Sequence, residues 1–146
     1  MLVSRRKLLC LAGCSAGLTA IGAAPGCGET TGSPPTGPVS AGNVSALAVG
    51  DLLVMSNVVV ARDAGGVYAM SGVCTHAGCL LSDASRTIAA GLGCGCHGSI
   101  FDGNGNVTRG PAGAPLQHYQ VTIAADGIMT IDGSQPVAAN VRTPLD

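Results

Sequence analysis

Two short boxes hold every cysteine beyond residue 27 and every histidine but one: Cys74-Thr-His76-Ala-Gly78-Cys79 and Cys94-Gly-Cys96-His97-Gly98-Ser99, separated by residues 80–93. If they serve one site, the fold must bring them together, because a metal needs its donors within a few ångströms of one another. Each box offers a cysteine and a histidine plus one further cysteine, so the set divides into two thiolates, two imidazoles and two thiols left over. In an exported chain the leftover pair should form a disulfide. Composition makes such staples useful. Hydrophobic residues make up 47% of the 146 residues, but aromatics only 2%, and 23 positions are Gly. A core so poor in large side chains needs help from a metal or a cross-link.

The N-terminus reads as an address. Arg5, Arg6 and Lys7 precede an uncharged run, Leu8 to Ala24, closed by Pro25, the pattern of an export signal. The paired arginines point to twin-arginine export. Cys27, after Ala-Pro-Gly, is the expected lipid-attachment site, since Cys14 leaves too short an apolar stretch behind Lys7. Retention of the apolar run as a membrane anchor is the alternative. Either way the body is expected on the periplasmic side of a bacterial cytoplasmic membrane. Beyond residue 7, four Arg face eight Asp and Glu, a net charge of −4 with no basic patch, which argues against a nucleic-acid partner.

Gly28 to Gly42 reads GETTGSPPTGPVSAG and is expected to be a flexible linker. From Val44 onward, short apolar runs (VSALAV, LLVM, NVVVAR, VYAM) are cut by turn signals at Gly50-Asp51 and Asp63 to Gly66. Gln117 to Ile123, the turn Ala125-Asp126-Gly127 and Ile128 to Ile131 read as a closing hairpin, with Tyr119, Val121 and Ile123 on one face. The chain thus divides into an export segment (1–27), a linker (28–42), an all-β domain (43–134) and a C-terminal tail (135–146). Asp102-x-Asn104-x-Asn106 lacks the Gly and Glu of a calcium loop and reads as a turn. His118 reads as a plain surface or packing residue.

The boxes CTHAGC and CGCHGS, followed by Phe101-Asp102 and later by Gly110-Pro111-Ala112, resemble those of Rieske iron-sulfur domains. The type is the disulfide-containing one of quinol-cytochrome c reductases and arsenite oxidase small subunits. The likeness runs from about Val44 to Asp132. It implies a Rieske-like antiparallel β-sandwich with a small cluster-binding subdomain, here preceded by a signal or anchor helix. It also implies one 2Fe-2S cluster: Cys74 and Cys94 on one iron, His76 and His97 on the other, and Cys79 bridged to Cys96. Imidazole donates less charge than thiolate, so such clusters lie at higher potential than all-cysteine ones. Gly78 and Gly98 would let backbone amides approach the cluster, and Pro111 would belong to a shielding loop. Ser99 supplies one hydroxyl toward the cluster, whereas Phe101 stands where high-potential members carry Tyr.

The function so implied is that of an exported, membrane-tethered one-electron carrier, a redox subunit rather than a self-sufficient enzyme. The expected partner is a quinol-oxidising complex or its c-type cytochrome. The alternatives are a periplasmic molybdenum oxidase of the arsenite oxidase type and a stand-alone carrier. A structural zinc module is the remote alternative, and it leaves the two extra cysteines unexplained.

Overall fold

The structure, a computed structural model, describes residues 30–81 and 87–145, so the export segment and Cys27 lie outside the described residues. Strands account for the regular structure there, with two single-turn 3-10 segments, Val44–Ala46 and Ile88–Ala90, and no α-helix. The all-β expectation holds. In chain order the strands are β1 (Pro38–Asn43), β2 (Leu52–Met55), β3 (Val58–Asp63), β4 (Gly66–Ser71), β5 (Leu92–Gly93), β6 (Ile100–Phe101), β7 (Val107–Arg109), β8 (His118–Ile123) and β9 (Ile128–Val137). A six-stranded antiparallel sheet has the order β1-β9-β8-β4-β3-β2, and a three-stranded sheet β5-β6-β7 is inserted between β4 and β8.

Side chains alternate between the two faces of a strand, and in β3 and β4 both faces are buried. Val58, Val60, Val67 and Ala69 join Tyr119, Val121, Met129 and Ile131, while Leu53 and Met55 pack from β2 and Ala41 from β1. All six strands therefore feed one core, and the sheet curls around it. The opposite positions, Val59, Ala61, Tyr68 and Met70, meet Leu81, Leu92, Phe101 and Leu116 together with Cys74, Cys79 and Cys94. The two boxes are thus built onto the second face of the sheet through a core of their own. The closing hairpin forms as expected, Ile123 facing Met129, with Tyr119, Val121 and Ile123 in the same core.

Three boundaries differ from the sequence reading. VSALAV is not a strand: the Asn43 side chain accepts from the Ser45 amide and Asp51 Oδ2 from the Ala48 amide, and these local bonds turn the chain. The expected linker ends early, because Pro38–Asn43 pairs with β9 as β1. Ahead of it, Thr30–Gly37 lies against the domain: the Gly32 amide donates to Gly78 O and the Leu80 amide to Thr30 O, both at 2.9 Å, and Asn57 Nδ2 donates to Ser33 O. Composition announces such a strap poorly, since backbone groups rather than apolar side chains hold it. The tail is likewise attached. Strand β9 runs to Val137, and Thr143 exchanges backbone bonds of 2.9 and 2.8 Å with Val67. Gly66, with φ +131°, permits that approach, because a Cβ there would fall on Thr143 O.

Candidate metal centre

Both boxes fold into the same loop. In residues 74–79 the Gly78 amide donates to Cys74 O (3.0 Å) and the Cys74 amide to Cys79 O (2.8 Å). In residues 94–99 the Gly98 amide donates to Cys94 O (3.0 Å) and the Cys94 amide to Ser99 O (2.9 Å). The turn needs left-handed backbone at its fifth residue, where both loops have glycine at φ +76°. One loop leaves β4 and the other connects β5 to β6, so the sheet-side core places them face to face.

The four candidate donors fall into two unlike pairs. Cys74 and Cys94 are 2% and 4% exposed, and both are free. Burial raises the Cys94 thiol, and the hydrogen bond it shares with Cys74 raises it further. A buried thiol raised in this way becomes a thiolate readily only where a cation lies beside it. His76 and His97 are exposed, with ring centroids 4.7 Å apart in an edge-to-face arrangement. The remaining two cysteines, Cys79 and Cys96, form a disulfide that joins the loops. Their sulfurs lie within 4.8 Å of Cys94 Sγ, but the bond between them takes both out of the donor set.

The surroundings complete the enclosure. Ser99 is fully buried, and its Oγ accepts from the Ala112 amide at 2.9 Å. Thr75 Oγ1 donates to Ala114 O at 2.6 Å. The exposed Pro111 loop is therefore tied to both boxes, one tie on each side. Phe101 is fully buried, in the same core as Cys74 and Cys94. Arg109 Nε donates to Gly98 O at 3.2 Å. Arg109 borders a groove of about 280 Å³ with Gly91, Leu92, Cys94 and Gly98. Thr75, Arg109 and Ala114 were not singled out from sequence; Thr75 lies within the first box, and Arg109 and Ala114 flank Gly110-Pro111-Ala112, which was the available signal.

Two features lie away from the boxes. Asp102 forms the expected turn, Oδ1 accepting from the Asn104 and Asn106 amides. His118 is a packing residue buried at 3% exposure. It stacks on Tyr68 with centroids 5.8 Å apart, and its Nε2 bonds to Asn104 O at 2.9 Å. Burial lowers the His118 pKa, assisted by the Arg142 charge. Burial also pushes the Tyr68 hydroxyl, which donates to Gly103 O, up to about 12.

A β domain that offers two thiols and two imidazoles from paired, disulfide-joined loops has the donor set of a histidine-ligated iron-sulfur centre. The chain belongs to the Rieske [2Fe-2S] domain family, whose model matches residues 37–120. Over 89 residues it is 36% identical to the cytochrome b6-f complex iron-sulfur subunit of Synechococcus sp. (strain CC9605), covering 59% of this chain and 46% of that one. It is 38% identical over 68 residues to the subunit of the same name from Chlorobaculum tepidum, covering 45% and 35%. The chain thus matches less than half the length of these relatives. In fold it resembles a chain from the complex of reduced oxygenase and oxidised ferredoxin in carbazole 1,9a-dioxygenase, with a TM-score of 0.53 at 20% identity, covering 69% of this chain and 97% of that one. A Rieske-type 2Fe-2S cluster is the cofactor this family membership implies, and the unlike donor pairs fit it.

Proposed function

We propose that this protein is the electron-carrying Rieske subunit of a quinol-oxidising cytochrome complex, exported and held at the periplasmic face of the membrane. The observation that carries the reading is the separation of the donors into a buried thiol pair and an exposed imidazole pair. Cys74 and Cys94 would hold one iron and His76 and His97 the other. When bound, the cluster supplies a site that takes up and releases one electron. The chain's residues do the rest. The buried cysteines and Phe101 keep water from the thiolate side. The exposed imidazoles present ring edges that a quinol hydroxyl can approach and that can exchange a proton with it. The buried Ser99 hydroxyl, already accepting from the Ala112 amide, would be the donor from this loop to a bound cluster, which would favour the reduced form. Phe101 provides no such donor, so the potential should lie below that of members carrying both hydroxyls.

The relatives named as cytochrome b6-f subunits support the partner class. Arg5, Arg6, the apolar run and Cys27 support export and tethering. No helix among the described residues is long and apolar enough to cross a membrane, so a tether would come from the segment before residue 30.

The full chain, purified from membranes of its native host, tests the reading. It should be red-brown, contain two iron atoms per chain, and give the low-average-g EPR signal of a histidine-ligated cluster. It should also co-purify with a b-type cytochrome. Stoichiometric zinc in a colourless protein would overturn the cofactor assignment, and co-purification with a molybdopterin subunit would overturn the partner.

A further inference from the structure

Among the described residues, the end of the molecule that carries the two boxes is almost free of charge. Residues 74–79, 94–99 and 108–115 contain one charged side chain, Arg109, among Gly, Ala, Pro, Thr and the two exposed histidines. None of the described carboxylates falls in these three segments. Asp51 precedes β2 and Asp63 ends β3, Asp126 is in the β8–β9 turn and Asp132 lies in β9, and Asp102 is folded into its own turn. The other described arginines are engaged: Arg62 donates to Leu47 O, and Arg142 pairs with Asp63 at 2.6 Å. Arg109 has no ion pair among the described residues. Its Nε bond to Gly98 O, one residue from His97, fixes the guanidinium beside the second box, at the groove that Arg109 and Cys94 both line.

We infer that Arg109 is the electrostatic contact for a redox partner that presents carboxylates around its own electron-accepting centre. On a body of net charge −4, a fixed cation at the cluster end gives an anionic partner one favourable orientation of approach, with the cluster foremost. Such steering acts on encounter and orientation, and salt screens it. The inference rests on the cluster assignment above.

Oxidation of the reduced, cluster-loaded full chain by small ions of opposite charge tests it, since each oxidant accepts one electron from the cluster. The probes are hexacyanoferrate(III), an anion, and tris(phenanthroline)cobalt(III), a cation. At low ionic strength Arg109→Gln should slow the anion about five- to tenfold and speed the cation by a similar factor, the size expected for one charge against three at roughly 10 Å in water. Both differences should vanish near 1 M salt, where the Debye length is about 3 Å. Arg109→Lys should keep most of the wild-type rates. Ala90→Glu, which adds a carboxylate at the groove rim without touching Arg109, should reproduce the Arg109→Gln pattern. Ala125→Lys, added to Arg109→Gln on the distant β8–β9 turn, should not restore it. Rates unaltered for both ions, or restored by the distant lysine, would overturn the inference while leaving the cluster reading intact. A wild-type protein with no cluster spectrum would overturn that reading first.

Discussion

The loops at 74–79 and 94–99 share a backbone and differ in what they present and in what supports them. In each, the first residue is a buried cysteine and the fifth a left-handed glycine, with the same two closing hydrogen bonds. The histidine is third in one loop and fourth in the other, and the sixth residue is Cys79 in one and Ser99 in the other. Repetition of the frame accounts for two equivalent thiols. The offset histidines account for an imidazole pair at the exposed edge, and the unlike sixth residues divide two tasks, a cross-link to the other loop from Cys79 and, from Ser99, a hydroxyl that accepts from the Ala112 amide. Support is also divided. The Thr30–Gly32 strap backs the first loop. The β6–β7 hairpin backs the second, its turn held to the base sheet by Tyr68, His118 and Arg142.

The largest effects should come from the donors and should be equal between loops. Cys74→Ala, Cys94→Ala, His76→Ala and His97→Ala are each expected to abolish the visible and EPR signature, as measured by iron content and spectroscopy. A cluster retained in one histidine variant alone would break the equivalence of the pair. Next is the cross-link: Cys79→Ser should cost about 3 kcal/mol in chemical denaturation, the size expected for closing a loop of this length. It should loosen the cluster without abolishing its assembly.

The shared frame itself predicts a matched pair of smaller losses. Gly78→Ala and Gly98→Ala should each destabilise by about 1–2 kcal/mol, because both force a Cβ into left-handed backbone. An added Cβ meets nothing closer than 3.7 Å at either site, so strain rather than collision sets the cost. Ser99→Ala should split the loops, leaving the Ala112 amide without its acceptor and lowering the reduction potential in a redox titration. Phe101→Tyr should raise it. A Tyr variant with unchanged potential would show that the missing hydroxyl is not what holds the potential down.

Much of the site was legible because its chemistry is local. Cys74, His76, Cys94 and His97 make a candidate donor set on residue type and spacing alone, and the closing hairpin is written in alternation around Asp126-Gly127. The supports were not legible, because they depend on partners far away in sequence. Nothing near Gly32 signals that its amide will meet Gly78 O, and a strap rich in Thr, Ser, Pro and Gly has the composition of a free linker. Arg142 looks like a tail residue until Asp63, 79 positions earlier, is beside it, with the Tyr68 ring 3.7 Å below its guanidinium carbon. His118 gave no signal either, since burial of a histidine in a strand is a property of the packing around it.

His118 provides the smallest and most selective way to separate the two loops. Its Nε2 must carry the proton to bond Asn104 O, so the neutral ring leaves Nδ1 as a bare acceptor, and that atom is buried without a partner. Protonation would add a second buried donor with nothing to receive it, close to the Arg142 charge, while Asp102 offsets only part of the cost. The folded-state pKa is therefore below the ordinary value of 6.5, and the unfolded chain binds the proton first as acid is added. The stability contributed by neutral His118 is fully present above about pH 6.5 and declines as the pH falls through that value toward the depressed folded one. Tyr68 stays neutral throughout this range. Since His118 holds the Asn104 turn, acidification should lower protection factors against amide exchange in Asp102–Asn106 and the second loop before it affects those of Thr30–Gly32 and the first. His118→Gln, which retains a donor for Asn104 O but does not titrate, should remove that difference between pH 7 and pH 5. Equal acid sensitivity in both loops, or a difference that persists in the variant, would place the acid-sensitive support elsewhere.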